Sequence, residues 1–158
     1  FAAAGSARRM GMVAYTMKVA IAADHGGFEL KEALKKQLTG VTLTDLGTHS
    51  TESVDYPDFG ADLARRVAAG EFDRGILVCG SGIGISIAAN KVPGIRAALC
   101  HNVYTAEMAR RHNDANVIAM GGRVVDESTA IEMTQVFLNT EFEGGRHARR
   151  VEKLNNIH

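Results

Sequence analysis

The sequence contains no tryptophan and only two prolines and two cysteines in 158 residues. Cys79 and Cys100 form no CxxC pair, which argues against a disulfide framework or a structural zinc site. No apolar run approaches the roughly 18 residues that a membrane-spanning helix needs. Lysine and arginine number 18, as do aspartate and glutamate, so no net charge attracts nucleic acid or a membrane surface. We therefore expect a cytoplasmic protein without a nucleic-acid or membrane partner.

The composition is that of an ordinary globular protein. Hydrophobic residues make up 46% of the chain and aromatic residues 6%, enough for one well-buried core. Residues 1–16 are small and partly basic and show no periodicity, so we interpret them as an N-terminal extension. Residues 17–158 are predicted to form a single domain.

From Met17 onwards, short apolar runs alternate with amphipathic stretches, which is typical of helices covering both faces of a parallel sheet. The predicted strands are 17–24, 41–46, GILVCG, RAALC and NVIAMGG, and predicted helices include 82–90, 103–111 and 126–139. This pattern predicts an α/β fold, a three-layer αβα Rossmann-like (flavodoxin-like) five-stranded parallel sheet with strand order 2-1-3-4-5. The final RHARRVEKLNNIH segment predicts a basic helix that packs on its own core or on a partner subunit.

A glycine-rich turn after the third strand is the strongest local signal. It runs Cys79, Gly80, Ser81, Gly82, Ile83 and Gly84. Glycines allow backbone N–H groups to face an anion at a helix N-terminus, and converging donors suit an oxyanion such as an enediolate. The Cys79 thiol would lie beside that oxyanion and could act as a base, although a buried structural cysteine is the alternative. The glycine spacing fits neither a dinucleotide fingerprint nor a P-loop.

Polar residues stand at other positions where a ligand could bind. Asp24 and His25 follow the first strand, either as a helix cap or as cleft residues. His112 and Asn113 end the fourth helix, where histidine and asparagine also serve as capping groups. Each pair therefore has a structural and a functional interpretation.

Arginines could supply a phosphate clamp through charge-assisted hydrogen bonds, or they could simply form a solvated helix face. The candidates are Arg123, which follows two glycines, and the run Arg146, His147, Arg149 and Arg150. The six histidines are scattered and form no HExxH motif. We accordingly predict no metal and no cofactor.

Several motifs taken together resemble the ribose-5-phosphate isomerase B family, which shares its wider family with galactose-6-phosphate isomerase subunits. They are VAIAADHGGFELK, DYPDFG, CGSGIGISIAANKVPGIRAALC, ARRHNDANVIAMGGRVV and EGGRHARRVEKL, and the resemblance covers Met17 to His158. It implies an aldose–ketose isomerase that interconverts ribose 5-phosphate and ribulose 5-phosphate through a cis-enediolate. A branch of the family has a catalytic glutamate where this chain has Ile85, which favours Cys79 as the base here.

The resemblance also implies roles for individual residues and an assembly. Catalysis would involve Cys79 as base, Ser81 as a hydrogen-bonding helper and His112 as the residue that opens the sugar ring. Substrate would be bound by Asp24, His25, Tyr56, Gly80, Gly82, Ile83, Gly84, Asn113, Arg123, Arg146 and Arg150. Family sites are shared across subunits, so a homodimer or a dimer of dimers is expected.

Other functions remain open at this point. The nearest alternative is an isomerase of a six-carbon sugar phosphate, such as allose 6-phosphate or galactose 6-phosphate. A non-catalytic regulator that binds sugar phosphates would keep the arginines but would not need the thiol. A nucleotide-binding flavodoxin-like module is a third possibility, which the glycine spacing disfavours.

Overall fold

The computed structural model describes residues 7–10 and 13–158. The strands are β1 (Ala7–Met10), β2 (Val13–Thr16), β3 (Lys18–Ala23), β4 (Thr42–Asp45), β5 (Arg74–Cys79), β6 (Ala97–Leu99) and β7 (Val117–Gly121). The helices are α1 (Phe28–Gln37), α2 (Tyr56–Ala68), α3 (Ile83–Asn90), α4 (Val103–Arg111), α5 (Glu127–Asn139) and α6 (Arg146–Asn155). The predicted strands and helices from Met17 onwards are therefore all present, with ends that differ by a few residues.

The main sheet contains β3 to β7, every neighbouring pair is parallel, and helices cover both faces. The predicted three-layer α/β class is confirmed. The predicted strand order 2-1-3-4-5 is wrong at its end, because the observed order is β4-β3-β5-β7-β6. The fourth and fifth predicted strands, which are β6 and β7, therefore stand in the reverse order in the sheet.

Burial explains the exchange. All five residues of β7 are buried, which suits an apolar strand placed between two neighbours. Strand β6 has three residues, none of them fully buried. The side chain of Asn90, the last residue of α3, hydrogen-bonds to the backbone of β6 at Ala97. A short, partly exposed strand is stable at the edge of a sheet, whereas the longer apolar strand requires an interior position.

Alternating side chains of β3 divide the core into two layers. Val19 and Ile21 pack on one face with residues of α1, α4 and α5. Ala20 and Ala22 pack on the opposite face with residues of α2 and α3. The sheet therefore separates two apolar layers and packs against both. This packing fixes the positions of the loops at the two ends of the strands.

The segment interpreted as an extension includes two described strands. Strands β1 and β2 form an antiparallel pair, and the Tyr15 hydroxyl donates to Asp73 Oδ2 at 2.8 Å. Residues 1–6, 11 and 12 of the interpreted extension lie outside the described residues. The boundary between an extension and a domain of residues 17–158 stays a prediction. Within the described ranges, no helix has the length and apolar character needed to cross a membrane.

Candidate active site

Strands β3, β5 and β7 are adjacent, and their carboxyl ends lie along one edge of the sheet, where the loops that follow them come together. Ala23 is paired with Val78, and Cys79 is paired with Gly121. The Gly122 N–H donates to the Cys79 carbonyl at 2.8 Å. A Cβ placed on Gly26 would lie 3.0 Å from the backbone nitrogen of Gly80, so these loops approach closely and leave little room for a side chain. This edge is the usual ligand-binding edge of an open α/β sheet.

The Cys79 thiol lies inside the glycine-rich turn, as predicted. The residue is 4% exposed, and its Sγ accepts the Gly82 N–H at 3.1 Å. Gly82 has a φ of +80° and begins α3 as its N-cap, so the sulfur faces the positive end of a helix dipole. A thiolate accepts such a hydrogen bond more strongly than a thiol does. The Gly82 N–H therefore lies where it could bond an anionic sulfur.

The rest of the turn positions further predicted residues. The exposed Ser81 accepts the Ile83 N–H through its Oγ at 3.2 Å, so its hydroxyl lies at the start of α3. Gly84 lies directly under the ring of Tyr56, because a Cβ there would meet ring carbons at 2.5 Å and the hydroxyl at 2.9 Å. Tyr56 is the first residue of α2 and is 40% exposed. Its ring thus forms one wall of the site.

Arg123 packs against the other end of the turn. Its backbone N–H donates to the Gly80 carbonyl at 3.0 Å. Its guanidinium covers Gly80, where an added Cβ would lie 2.9 Å from Nη1. A planar group with five N–H donors thus lies beside the glycine-rich turn, where an anionic substituent would complement its charge.

Asp24 and His25 have structural bonds in addition to their predicted substrate contacts. Asp24 is 6% exposed, and its Oδ1 accepts the N–H groups of Gly26 at 2.9 Å and Gly27 at 3.2 Å. The His25 Nδ1 accepts the Val54 N–H at 3.2 Å. Neutral imidazole bonded in this way carries its proton on Nε2, which leaves that nitrogen as a donor.

A second group of predicted residues lies at the opposite edge of the sheet. His112 follows α4, and Asn113 precedes β7, with the Asn113 carbonyl accepting from Arg96 Nε at 3.1 Å. Arg146 and Arg150 are on α6, which is tied to this edge by a 2.7 Å bond from Arg96 Nη1 to Asn155 Oδ1.

Within one chain the two groups are separated. Cys79 is paired with Gly121 at the carboxyl end of β7, whereas His112 and Asn113 precede its first residue, Val117. Four residue steps of a strand span about 13 Å. A single chain therefore does not bring Cys79 and His112 into contact.

The structure also groups three residues that the sequence analysis did not combine. The rings of His112 and His147 stack with centroids 4.2 Å apart and planes inclined by 12°. His147 Nε2 lies 3.8 Å from Glu143 Oε1. Burial lowers the pKa of His147, the neighbouring His112 lowers it further, and Glu143 opposes both effects. Glu143 lies outside any predicted helix, so no periodic signal in the sequence pointed to it.

Cys100, the second thiol, lies in a different environment from Cys79. It is 1% exposed at the end of β6, and burial raises its pKa to about 11 despite a hydrogen bond with Thr105. At neutral pH this thiol is protonated. It is therefore unsuited to act as a base.

The fold and the site define a three-layer α/β protein with a buried thiol in a glycine-rich turn at the carboxyl ends of its strands. The ribose/galactose isomerase family model matches residues 19–154. The chain is 48% identical over 142 residues to ribose-5-phosphate isomerase B of Escherichia coli, covering 89% of this chain and 95% of the relative. It is 45% identical over 141 residues to D-erythrulose-4-phosphate isomerase of Pectobacterium atrosepticum, covering 87% and 93%.

A solved structure shares the fold. The ribose 5-phosphate isomerase of Thermotoga maritima is 46% identical and superimposes with a TM-score of 0.88, covering 90% of this chain and 100% of that one. The chain therefore belongs to the ribose/galactose isomerase family, and it is a sugar isomerase of the aldose–ketose type.

Proposed function

We propose that this protein interconverts ribose 5-phosphate and ribulose 5-phosphate, with Cys79 as the base. The observation that carries the proposal is the buried Cys79 sulfur, which accepts the Gly82 N–H at 3.1 Å at the N-terminal end of α3. The similarity to ribose-5-phosphate isomerase B of Escherichia coli supports this choice of substrate. No cofactor takes part in the proposed reaction.

The proposed reaction moves one proton between neighbouring carbons. The Cys79 thiolate removes the proton from C2 of the open-chain aldose, the freed electron pair forms the C1–C2 double bond, and negative charge moves to O1. Proton transfer from O2 to O1 and return of the carbon-bound proton from sulfur to C1 then give the ketose. First-turn N–H groups of α3 lack acceptors within the helix and can stabilise the enediolate oxygen.

The remaining predicted residues bind and prepare the substrate. Asp24 and Tyr56 contact sugar hydroxyls, and Ser81 assists by hydrogen bonding. His25 and Arg123 contribute to phosphate binding. His112 opens the furanose ring, Asn113 holds a substrate oxygen, and Arg146 and Arg150 complete the phosphate clamp.

These roles require two copies of the chain, because His112 and Cys79 lie at opposite edges of one sheet. In the proposed homodimer, the edge carrying His112 on one copy faces the edge carrying Cys79 on its partner. Two-fold symmetry would then build two equivalent sites, each with residues of both chains. A dimer of dimers would keep the same sites.

The catalytic role of Cys79 is tested by following ketose formation from ribose 5-phosphate with a metal chelator present. Cys79→Ala should lower kcat by roughly 10² to 10⁴-fold, the usual contribution of a positioned base. Cys100→Ala is the matched control, a second buried thiol at a strand end, and it should keep near wild-type kcat. An active Cys79→Ala variant would refute the mechanism. If the wild type acts on allose 6-phosphate or galactose 6-phosphate but not on ribose 5-phosphate, the proposed substrate is wrong and the six-carbon sugar phosphate takes its place.

The shared site is tested by mixing two inactive variants, Cys79→Ala and His112→Ala, under conditions that exchange subunits. If each site takes Cys79 from one chain and His112 from the other, a mixed dimer contains one intact site. Random exchange should then restore about one quarter of wild-type activity. A mixture that exchanges subunits, as shown by mass spectrometry, yet stays inactive would contradict the shared site.

A further inference from the structure

An unsatisfied histidine at the edge of the sheet opposite Cys79 has ligand atoms nearby. His147 is 5% exposed, and its Nε2 has no hydrogen-bond partner among the described residues. A buried polar nitrogen without a partner costs free energy, so a bond to a group from outside this chain is expected there. Glu143 and His112 are next to it, and one ligand atom from each of the three residues lies within 4.8 Å of the others.

Backbone hydrogen bonds hold the three residues in place. His112 donates its backbone N–H to Met108 at 2.9 Å, at the end of α4. Glu143 donates its backbone N–H to the Arg111 carbonyl at 3.0 Å, which ties the segment before α6 to the same helix end. His147 lies in the first turn of α6 and donates to the Gly144 carbonyl at 3.0 Å. The three residues are therefore held by the end of α4, by the start of α6 and by the hydrogen bond that ties the segment before α6 to α4.

Two imidazoles and one carboxylate are a ligand set that Zn²⁺ uses, with water or another group in the fourth position. Zinc–nitrogen bonds of about 2.1 Å in a tetrahedral site place neighbouring ligand atoms about 3.4 Å apart. With ligand atoms up to 4.8 Å apart, the cluster needs to contract by up to about 1.4 Å, with rotation of the stacked rings so that their lone pairs converge. The exposed Glu143 side chain has the freedom to complete the closure.

Positive groups near the cluster set a limit on affinity. Arg146 and Arg150 are close enough to His147 to act on it electrostatically. Their charge repels a cation and the Glu143 carboxylate offsets only part of that repulsion. The site should therefore bind zinc more weakly than a closed structural site does, and release it to a chelator.

We propose that His112, Glu143 and His147 form a Zn²⁺ site that switches the enzyme off. The inhibitory part rests on the proposed function, because it requires His112 to open the sugar ring. An imidazole nitrogen that is bound to zinc has no free lone pair for the ring proton. Zinc would thus compete directly with catalysis, and a chelator would restore activity.

Zinc binding is measured apart from activity, by calorimetric titration of chelator-treated protein with Zn²⁺. The Cys79→Ala protein serves as the starting form, so that the thiolate does not compete for the ion. One ion should bind per chain, Glu143→Gln should weaken binding at least tenfold, and His147→Gln should weaken it further. The exposed His49→Gln is the matched control and should leave affinity unchanged. The proposed site would be wrong if zinc does not bind, or if it binds the starting form and the three further variants with equal affinity.

Inhibition is measured with Cys79 intact, as the ratio of initial rates with and without added Zn²⁺ for each protein. Wild type and His49→Gln should lose most of their activity and recover it with chelator. Glu143→Gln should need at least tenfold more zinc for the same fractional loss. Wild-type inhibition that Glu143→Gln does not change would overturn the switch. Zinc binding in a protein that isomerises no sugar phosphate would leave the site standing and reject the proposed function.

Discussion

The sulfur of Cys79 and the backbone nitrogen of Gly82 lie 3.1 Å apart, in a contact that depends on a left-handed glycine. Gly82 has a φ of +80°, and a Cβ at this position would lie 2.7 Å from the backbone carbon of Met120. Backbone atoms cannot move aside as the end of a flexible side chain can. The hydrogen bond to the thiol is therefore coupled to the packing of the turn against β7.

Gly82→Ala should lower both stability and kcat. Gly70→Ala is the matched control, because Gly70 also has a φ of +80° but has nothing within 4 Å of an added Cβ. Left-handed backbone alone costs roughly 1 kcal/mol for alanine, and Gly82→Ala should cost clearly more because of the clash. Chemical denaturation and initial rates would measure both effects. Equal stability losses and unchanged kcat would contradict the coupling.

The ion pair between Lys31 and Asp45 should contribute strongly to stability. Lys31 Nζ lies 2.6 Å from Asp45 Oδ2, and the Lys31 side chain is fully buried. Asp45→Asn removes the shorter of the two ion pairs of that ammonium and leaves it with the partly exposed Glu32 carboxylate at 3.2 Å, which should cost about 2 to 4 kcal/mol. Asp62→Asn is the control, because its pair with Arg66 is exposed and should contribute less than about 1 kcal/mol. Denaturation at pH 7 and equal protein concentrations would compare them.

The same pair predicts sensitivity to acid. Burial alone would raise the pKa of Asp45, but hydrogen bonds from Lys31, Lys35 and the Gly47 N–H outweigh it and lower the pKa to about 2. A carboxylate whose pKa is lowered on folding stabilises the protein above its unfolded pKa of about 3.9. That contribution is lost as pH falls from about 5 to 2. The stability advantage of wild type over Asp45→Asn should shrink across this range, and a constant advantage would contradict the assignment.

Arg123→Gln should raise the KM for the sugar phosphate with a smaller effect on kcat. The change removes a charge-assisted interaction worth about 1.5 to 3 kcal/mol, so KM should rise roughly 10- to 100-fold. Arg65→Gln, an exposed arginine on α2, is the control and should leave KM unchanged. Initial-rate kinetics on ribose 5-phosphate would separate the two constants. Similar KM values for both variants would exclude Arg123 from phosphate binding.

Tyr56→Phe should weaken substrate binding while keeping the aromatic ring that covers Gly84. Only the hydroxyl is lost, and a neutral hydrogen bond contributes about 0.5 to 1.5 kcal/mol, so KM should rise roughly 2- to 10-fold. Tyr104→Phe changes a tyrosine that is 68% exposed on α4 and should have no effect. Steady-state kinetics of both variants provide the comparison, in which an unchanged KM for Tyr56→Phe would remove its hydroxyl from the binding site.

The sequence predicted the α/β class and the strands and helices because apolar periodicity is a local property. It also placed Cys79 in a turn before a helix, since glycine spacing and the following apolar run are adjacent in the chain. The order of the last two strands was mispredicted, because order depends on which strand has both faces buried. That comparison between β6 and β7 is made only when the sheet is assembled.

The sequence alone determined the residue types available for chemistry: a thiol among glycines, histidines at helix ends, and arginines after glycines. Only the tertiary structure decided which of them meet. It placed Cys79 and Arg123 at one edge and His112, Glu143 and His147 at the other, because parallel strands carry successive loops to opposite edges of the sheet. Contacts between residues distant in the chain depend on that packing, which no local pattern encodes.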